Sequence, residues 1–245
     1  MSTSAHLDRF RSLRDRAGIF LDFDGTLADI VARPELARAH PESSAVLARL
    51  AGQYALVAVV SGRPPSQVLE LIDVPGIEVF GLYGLSEARD SAVRAALPEV
   101  ERAIRRVAGA WIEDKGPSLA VHYRGARDPA TAERELTHGL TDIAGRFGLS
   151  VLPGKMVLEL APRDTPGKGA VVLRECRSRG LEGCLYAGDD RADLEAFAAL
   201  DRLQAEGMRT LKLAVRSEGT PAELAASADL VVEGPAALVA LLREL

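Results

Sequence analysis

The segment GIFLDFDGT, residues 18–26, decides the fold class because an apolar run is followed at once by two carboxylates and a glycine. Residues 18–21 are predicted to form a buried strand. Open parallel sheets of the α/β class bind ligands at the carboxyl ends of their strands, so a strand that runs into acidic residues indicates such a site. Because residues two apart in a strand lie on one side, we expect Asp22 and Asp24 to project together.

Short apolar runs alternate with helical patterns on both sides of this segment, which favours a parallel sheet covered by helices. Further strands are predicted at 54–60, 77–80, 183–187, 211–215 and 230–232, and helices at 41–50, 192–200 and 236–245. The middle of the chain instead predicts helix 92–107, hairpin 111–114/119–124, helix 131–147, and hairpin 150–152/156–160 around Pro153-Gly154. We therefore predict a Rossmann-like parallel-sheet core (α/β), residues 1–88 plus 165–245, with an inserted α+β cap domain, residues 89–164.

Composition and charge restrict the class of protein. The 245 residues carry 30 basic and 35 acidic side chains, a net charge of −5, which argues against a protein that mainly neutralises nucleic-acid or membrane phosphates. No apolar stretch approaches the roughly 20 residues of a membrane span, and residues 1–16 lack the pattern of a secretory signal. We expect a cytoplasmic protein with a small-molecule substrate and reduced, structural thiols at Cys176 and Cys184.

Three other strand ends carry polar residues of matching chemistry. Ser61-Gly62-Arg63 offers a hydroxyl and backbone amides at a helix start, which suits a phosphate. Lys168, between two glycines, starts a helix and brings an ammonium to a phosphate or a nucleophile. Asp189 follows strand 183–187, with Asp193 one helical turn later, and their oxygens suit a hard divalent cation. Each signal alone is also compatible with a solvated turn, but four in this order are hard to reach by chance.

The two hairpins of the middle segment have one polar and one apolar face if each strand alternates. The polar face is expected to hold Glu113, Lys115, Ala120, His122, Arg124, Lys155, Val157 and Glu159. The apolar face, which should carry the helices, is expected to hold Leu119, Val121, Tyr123, Met156, Leu158 and Leu160. An ordinary solvated sheet face gives the same alternation. Paired Glu and Lys side chains also place acceptors beside donors, which suits sugar hydroxyls.

The core motifs DFDGT, SGR, the glycine-flanked lysine and GDDxxD resemble, in this order, the signature of the haloacid-dehalogenase superfamily of aspartate-nucleophile phosphohydrolases. The resemblance implies that Asp22 attacks phosphorus to form an aspartyl phosphate. It implies that Asp24 protonates the leaving alcohol and later activates water. Ser61 and Lys168 would hold the phosphoryl oxygens.

The same resemblance implies a magnesium cofactor. Asp22, Asp189 and the backbone carbonyl of Asp24 would hold the ion, and Asp193 would orient a water bound to it. The family commonly has Thr and Glu around that last aspartate, where this chain has Ala192 and Leu194. Many members also carry a His at the position of Tyr83.

The cap segments ExK at 113–115, HYR at 122–124 and GKxVxE at 154–159 resemble trehalose-6-phosphate phosphatases. The resemblance implies hydrolysis of trehalose 6-phosphate to trehalose and phosphate, the last step of trehalose biosynthesis. The implied substrate-binding residues are Arg63, Glu113, Lys115, His122, Arg124, Lys155 and Glu159. Because 245 residues leave no room for the synthase domain fused to some members, a stand-alone phosphatase is expected.

Two alternatives stay open. One is a phosphatase of the same fold for another substrate, such as sucrose phosphate or a glycosyl phosphoglycerate. The other is a catalytically silent domain that binds a sugar phosphate, which the presence of Asp22, Asp24, Lys168 and Asp189 argues against.

Overall fold

The structure, a computed structural model, describes residues 3–31, 33–86, 88, 90–217 and 219–245. The chain divides into two compact units: a first unit of Met1–Gly84 with Pro166–Leu245, and a second unit of Leu85–Thr165. The first boundary predicted from the sequence is 88/89, and residue 89 lies outside the described residues, as do residues 1 and 2. The roles assigned to the two units, catalytic core and sugar-binding cap, remain predictions.

Strands and helices alternate in the first unit and are grouped differently in the second. In chain order the strands are β1 (Ala17–Leu21), β2 (Leu56–Val60), β3 (Glu78–Phe80), β4 (Trp111–Asp114), β5 (Leu119–His122), β6 (Leu149–Gly154), β7 (Val157–Pro162), β8 (Gly183–Gly188), β9 (Arg209–Arg216) and β10 (Leu230–Glu233). The helices are α1 (Thr3–Arg11), α2 (Ser43–Ala51), α3 (Pro65–Leu71), α4 (Ser91–Ile104), α5 (Pro129–Phe147), α6 (Gly167–Ser178), α7 (Arg191–Ala205), α8 (Ala222–Ser227) and α9 (Gly234–Arg243).

The first unit is a six-stranded parallel sheet in the order β10-β9-β8-β1-β2-β3. Its central strands are buried on both faces, as expected for a parallel sheet. Successive residues of β1 alternate between two cores: Ile19 packs with α1, α2 and α9, whereas Phe20 packs with α6 and α7. The Rossmann-like parallel-sheet core (α/β) of the predicted fold class is confirmed by this topology.

The strand order places a topological switch point between β1 and β8. From β1 the chain adds β2 and β3 on one side, and after the second unit it returns to β8 on the other side of β1. The two connections leave the carboxyl ends of β1 and β8 in opposite directions, which opens a crevice there. Residue 22 follows β1 and residue 189 follows β8, so both lie at this crevice.

The second unit is an antiparallel sheet in the order β4-β5-β7-β6, covered by α4 and α5. Leu119, Val121, Leu158 and Leu160 are buried against those helices, as their alternation predicted. In the described part of the chain, no helix has both the length and the apolar composition that a membrane span requires.

Several local predictions were wrong. The second hairpin turns at Lys155-Met156 and not at Pro153-Gly154, which are the last residues of β6. Met156 has a φ of 62° and is 39% exposed, so it does not belong to the apolar face. Lys155 consequently lies in a turn, outside the alternation of β7. Helix α2 begins at Ser43, because Pro41 and Glu42 form a turn before it.

Candidate active site

Asp22 lies immediately after β1, next to the last residue of β8. Leu21 is paired with Ala187 across the sheet, and the backbone N–H of Asp22 donates to the carbonyl of Ala187 at 2.9 Å. This hydrogen bond continues the parallel ladder by one residue and fixes where the side chain emerges. Asp22 is 4% exposed, so its carboxylate is almost entirely removed from water.

Asp193, one turn into α7, is hydrogen-bonded to both of the acidic residues that directly follow β8. Its Oδ2 accepts from the backbone N–H of Asp189 and of Asp190, both at 2.9 Å, which with the cap by Asp190 starts helix α7. A β-carbon at Gly188 would lie 2.2 Å from Asp193 Cγ, so only glycine fits before this turn. The strand end therefore brings both Asp189 and Asp193 to the crevice, each 0% exposed.

Lys168 joins Asp193 to Asp22. Its Nζ is 2.7 Å from Asp22 Oδ1 and 2.7 Å from Asp193 Oδ1, and the residue is 4% exposed. The two flanking glycines have different reasons: a β-carbon at Gly169 would lie 2.4 Å from the backbone carbonyl oxygen of Glu195 on α7, whereas Gly167 has a φ of 77°, which favours glycine. The Gly-Lys-Gly sequence thus lets α6 approach α7 closely enough for the ammonium to reach both carboxylates.

Burial and charge shift the pKa values of this cluster. Burial raises the pKa of Asp22 well above its ordinary value; Lys168 lowers it, but Asp193 and Asp189 raise it further. Burial of the Lys168 ammonium opposes its charge, yet Asp193 and Asp22 outweigh burial and raise the pKa of Lys168 well above its ordinary value. The cluster is therefore acidic beyond what one lysine neutralises.

The same cluster suits a divalent cation. Within the described residues, Asp22, Asp189 and Asp193 each offer an oxygen, and these oxygens lie within 4.8 Å of one another. Gly25, at a φ of 85°, brings the loop so close that a β-carbon would lie 2.1 Å from Asp189 Oδ2. Several buried carboxylate oxygens with one compensating ammonium match the oxygen ligands and charge that magnesium or a similar hard cation requires.

Asp24 and Ser61 are placed differently from that cluster. The carboxylate of Asp24 receives two hydrogen bonds from the guanidinium of Arg63, Nε to Oδ2 and Nη2 to Oδ1, each 2.7 Å. Ser61, 1% exposed, follows β2 and accepts at Oγ from the backbone N–H of Arg63 at 3.1 Å. Both residues lie at the carboxyl edge of the sheet, and the Asp24–Arg63 pair was not predicted from the sequence.

Tyr186 is a further residue that the sequence analysis missed. It lies in the middle of β8, is 0% exposed, and its hydroxyl donates to Asp193 Oδ1 at 2.7 Å. Burial raises the pKa of this phenol well above its ordinary value, with the charge of Asp193 acting in the same direction. A tyrosine within an otherwise apolar buried strand is a usable signal, since a buried phenol needs a hydrogen-bond partner.

The second unit contains a polar cluster of its own, between β7 and the turn that joins β4 to β5. Lys115 Nζ donates to Glu159 Oε2 at 3.0 Å, and Ser118 Oγ donates to Glu159 Oε1 at 2.5 Å. The side chains of Lys115 and Glu159 are 8% and 3% exposed. An ordinary solvated sheet face would leave such charges in water, so their burial argues against that alternative.

The remaining predicted residues of the second unit lie on two other contacts. His122 Nε2 is 3.0 Å from Glu113 Oε2, and the His122 ring stacks on Trp111 with centroids 4.1 Å apart. Arg124 donates from Nη2 to the backbone carbonyl of Lys155 at 3.1 Å, across the turn of the second hairpin. The unit therefore brings Lys115 to Glu159 and His122 to Glu113, and it ties Arg124 to the turn that carries Lys155.

Comparison with known proteins identifies similar chains. The family model for trehalose-phosphatase matches residues 20–232. A trehalose-phosphate phosphatase of Mycobacterium avium is 36% identical over 203 residues, 74% of this chain and 51% of that protein. An uncharacterized glycosyl hydrolase of Mycobacterium tuberculosis is 34% identical over 211 residues, 76% of this chain and 15% of that protein. The chain thus spans about half, or much less, of the curated relatives it matches.

Solved structures show the same fold. The C-terminal domain of Candida albicans trehalose-6-phosphate phosphatase aligns with a TM-score of 0.83 at 18% identity, over 99% of this chain and 96% of that one. A phosphatase of the haloalkanoate dehalogenase superfamily from Bacteroides thetaiotaomicron aligns with a TM-score of 0.61 at 14% identity, over 92% of each chain. At these identities the likeness concerns the fold alone.

Proposed function

Because the chain belongs to the trehalose-phosphatase family, we propose that it is a magnesium-dependent phosphatase that hydrolyses trehalose 6-phosphate to trehalose and phosphate. The observation that carries the proposal is the buried cluster of Asp22, Lys168, Asp189 and Asp193 at the switch point of the sheet. An acidic turn that only faces solvent would leave its carboxylates exposed to water. Burial of the carboxylates around one shared lysine instead favours a site that binds a phosphate and a cation.

Asp22 is the nucleophile in this proposal. One carboxylate oxygen forms a bond to phosphorus while the bond from phosphorus to the sugar oxygen breaks, and Asp24 gives that oxygen a proton. Water then bonds to phosphorus as the aspartyl–phosphorus bond breaks, and Asp24 accepts the proton of the water. Lys168, 2.7 Å from Asp22 Oδ1, holds the nucleophile in place, and with Ser61 it provides donors for phosphoryl oxygens.

The acidic cluster would hold magnesium through Asp22 and Asp189, with the backbone carbonyl of Asp24. When bound, the ion neutralises charge on the nucleophile and on the phosphoryl group. Asp193 is better suited to positioning: four donors already reach its two oxygens, from Lys168 and Tyr186 at Oδ1 and from two backbone amides at Oδ2. Those hydrogen bonds use the acceptor capacity of the carboxylate.

The polar cluster of the second unit recognises the sugar in this proposal. Glu113, Lys115, His122 and Glu159 already form acceptor–donor pairs with one another, and sugar hydroxyls extend such pairs because each hydroxyl both donates and accepts. Arg124 and Lys155 belong to the same proposal because the Arg124 guanidinium donates to the backbone carbonyl of Lys155 in the turn of the second hairpin. The two alternatives, another sugar phosphate or a silent binding domain, predict different outcomes in one assay.

The test is phosphate release over a panel of substrates: trehalose 6-phosphate, sucrose 6-phosphate, glucose 6-phosphate and glucosyl-3-phosphoglycerate. We expect trehalose 6-phosphate to have the highest kcat/KM, with activity lost on chelation and restored by magnesium. Asp22→Asn should remove activity, whereas the matched variant Asp201→Asn, whose surface carboxylate pairs with Lys212, should not. Preference for another sugar phosphate would overturn the substrate, and inactivity on the whole panel would favour the silent domain.

A further inference from the structure

The guanidinium of Arg63 and the carboxylate of Asp24 form a two-point contact. Arg63 Nε is 2.7 Å from Asp24 Oδ2, and Arg63 Nη2 is 2.7 Å from Asp24 Oδ1. Two parallel charge-assisted hydrogen bonds fix the distance to a carboxylate and also the orientation of its plane. The Asp24 side chain is 36% exposed, so without such a contact it would be free to rotate.

Arg63 is itself held from three other directions. Its backbone N–H donates to Ser61 Oγ at 3.1 Å, and its Nη1 donates to the carbonyl of Pro34 at 3.1 Å. The guanidinium carbon lies 5.4 Å from the centroid of the Phe23 ring, within the range of a cation–π contact. The side chain is only 10% exposed. These contacts build a fixed support on which the carboxylate of Asp24 rests.

We propose that Arg63 is a positioning residue that acts on the reaction through Asp24, and that it does not bind the substrate as its place in the SGR motif suggested. The inference rests on the proposed function, because Asp24 has a proton to move only if the chain hydrolyses a phosphate ester. The inference goes beyond the proposed function because it gives the guanidinium of Arg63 the role of orienting the carboxylate of Asp24, the proposed acid and base.

A positioned carboxylate matters most when water attacks the aspartyl phosphate. In that step an Asp24 oxygen must accept a proton from a water held in line with phosphorus, and each oxygen keeps acceptor capacity beside its hydrogen bond from Arg63. Lysine preserves the charge of Arg63 but presents a single point, so it cannot fix the carboxylate plane. Arg63→Lys therefore separates the two-point contact from simple charge.

The experiment is a double-mutant cycle with Arg63→Lys and Asp24→Asn, measured on trehalose 6-phosphate and on p-nitrophenyl phosphate, with inhibition by inorganic phosphate recorded for each variant. Arg49→Lys is the matched control, since Arg49 is a partly buried arginine of the same unit that contacts Gln53 and two backbone carbonyls on α9. We expect Arg63→Lys to lower kcat on both substrates by roughly 10- to 100-fold, the scale for a misplaced catalytic group.

The cycle decides between positioning and substrate binding. If Arg63 acts through Asp24, Arg63→Lys leaves the inhibition constant of phosphate unchanged and lowers kcat no further when Asp24→Asn is already present. Three outcomes overturn the proposal. Arg63→Lys weakens inhibition by phosphate, or it lowers kcat in the Asp24→Asn background as much as it does in the wild type, or it leaves kcat unchanged as a single substitution. If Arg63→Lys damaged the fold in general, it would lower kcat in the Asp24→Asn background too, and that result also overturns the proposal.

The result is separable from the identity of the substrate. If the wild-type chain hydrolyses p-nitrophenyl phosphate but not trehalose 6-phosphate, the proposed substrate fails, while the cycle on the aryl ester still decides the role of Arg63.

Discussion

At the scale of single residues, Asp193 combines complete burial with four hydrogen bonds on one carboxylate. Two of its donors are backbone amides of the turn that starts α7, and the other two are Lys168 and Tyr186. Burying a charged group is costly unless its hydrogen bonds are complete, so each of these donors contributes to the stability of the site.

Tyr186→Phe tests this at one atom. Removing the hydroxyl leaves Asp193 Oδ1 with one donor fewer in a buried environment, which should lower the free energy of unfolding by about 1–3 kcal/mol. It should also lower kcat, because Lys168 loses part of the support of its partner. Chemical denaturation and steady-state kinetics measure the two effects.

The control for Tyr186→Phe is Tyr54→Phe. Tyr54 is also buried in the first unit but lies just before β2, at the opposite edge of the sheet, where it stacks on Phe10. The Tyr54→Phe variant should leave kcat unchanged. Equal losses of kcat in both variants would contradict a specific role for the Tyr186 hydroxyl.

The sequence predicted the site residues that lie at strand ends and missed the contacts that depend on packing. Asp22 and Asp189 were predicted to meet because parallel strands end at one edge of a sheet, whereas Lys168 was predicted from its place between two glycines at a helix start. The phenol of Tyr186 in an apolar strand could have indicated a buried hydrogen bond, but its partner Asp193 depends on how β8 packs against α7. The Arg63–Asp24 pair could not be predicted either, because the two side chains come from different strand ends and their contact depends on how two loops fold.

At the scale of secondary-structure elements, the close contact between α6 and α7 positions Lys168. Gly169 touches the backbone carbonyl of Glu195, and a β-carbon there would lie 2.4 Å from that oxygen. Because a backbone atom is the obstacle, rotation of a side chain cannot relieve the clash, and the helices must separate.

Gly169→Ala should therefore destabilise the protein by about 1–3 kcal/mol, the usual cost of overpacking, and lower kcat by displacing Lys168. Gly139→Ala is the matched control, since Gly139 lies inside α5 with no atom within 4 Å of its β-carbon position. That variant should instead stabilise by about 0.4–1 kcal/mol. Thermal unfolding of both variants is the measurement, and a neutral Gly169→Ala would contradict the packing argument.

Elements with a strong period were predictable, and short or irregular ones were not. Strands β1, β8 and β4 follow the predicted ranges closely. Helices α1 and α8 were not predicted, and only the start of α3 was, at Ser61-Gly62-Arg63. The six or seven residues of α8 and α3 carry too few turns to show a helical period, and α1 is largely polar. In the second hairpin, Pro-Gly suggested the turn, but the β6–β7 pairing continues to Gly154 and Val157 and moves the turn to Lys155-Met156.

At the scale of the whole molecule, each of the two units has its own polar cluster. The first contains a nucleophile candidate, a shared lysine and carboxylate oxygens that could hold a cation; the second contains paired charges that suit hydroxyl groups. In the proposed function, the first cluster cleaves the phosphate ester and the second recognises the sugar. Substitutions in the two clusters should therefore have different substrate dependence.

Glu113→Gln tests this division. It removes the charge that faces His122 and should lower kcat/KM for trehalose 6-phosphate by about 10-fold, equivalent to about 1.4 kcal/mol, while hydrolysis of p-nitrophenyl phosphate stays near wild type. Glu99→Gln is the control in the same unit, because Glu99 pairs with Arg146 on the helical side of the sheet. A parallel loss on both substrates would show that the second unit has another role.

The central claim is that Asp22 carries the phosphoryl group during hydrolysis of trehalose 6-phosphate. Asp24→Asn protein, which lacks both the acid of the first step and the base of the second, should be mixed with magnesium and p-nitrophenyl phosphate, whose leaving group needs little protonation, then quenched in acid and digested. The account predicts that the peptide containing Asp22 gains the mass of one phosphoryl group, and that the Asp22→Asn/Asp24→Asn double variant gains none. Phosphorylation of a different residue, or an unmodified peptide at every quench time from an enzyme that releases phosphate, would contradict it.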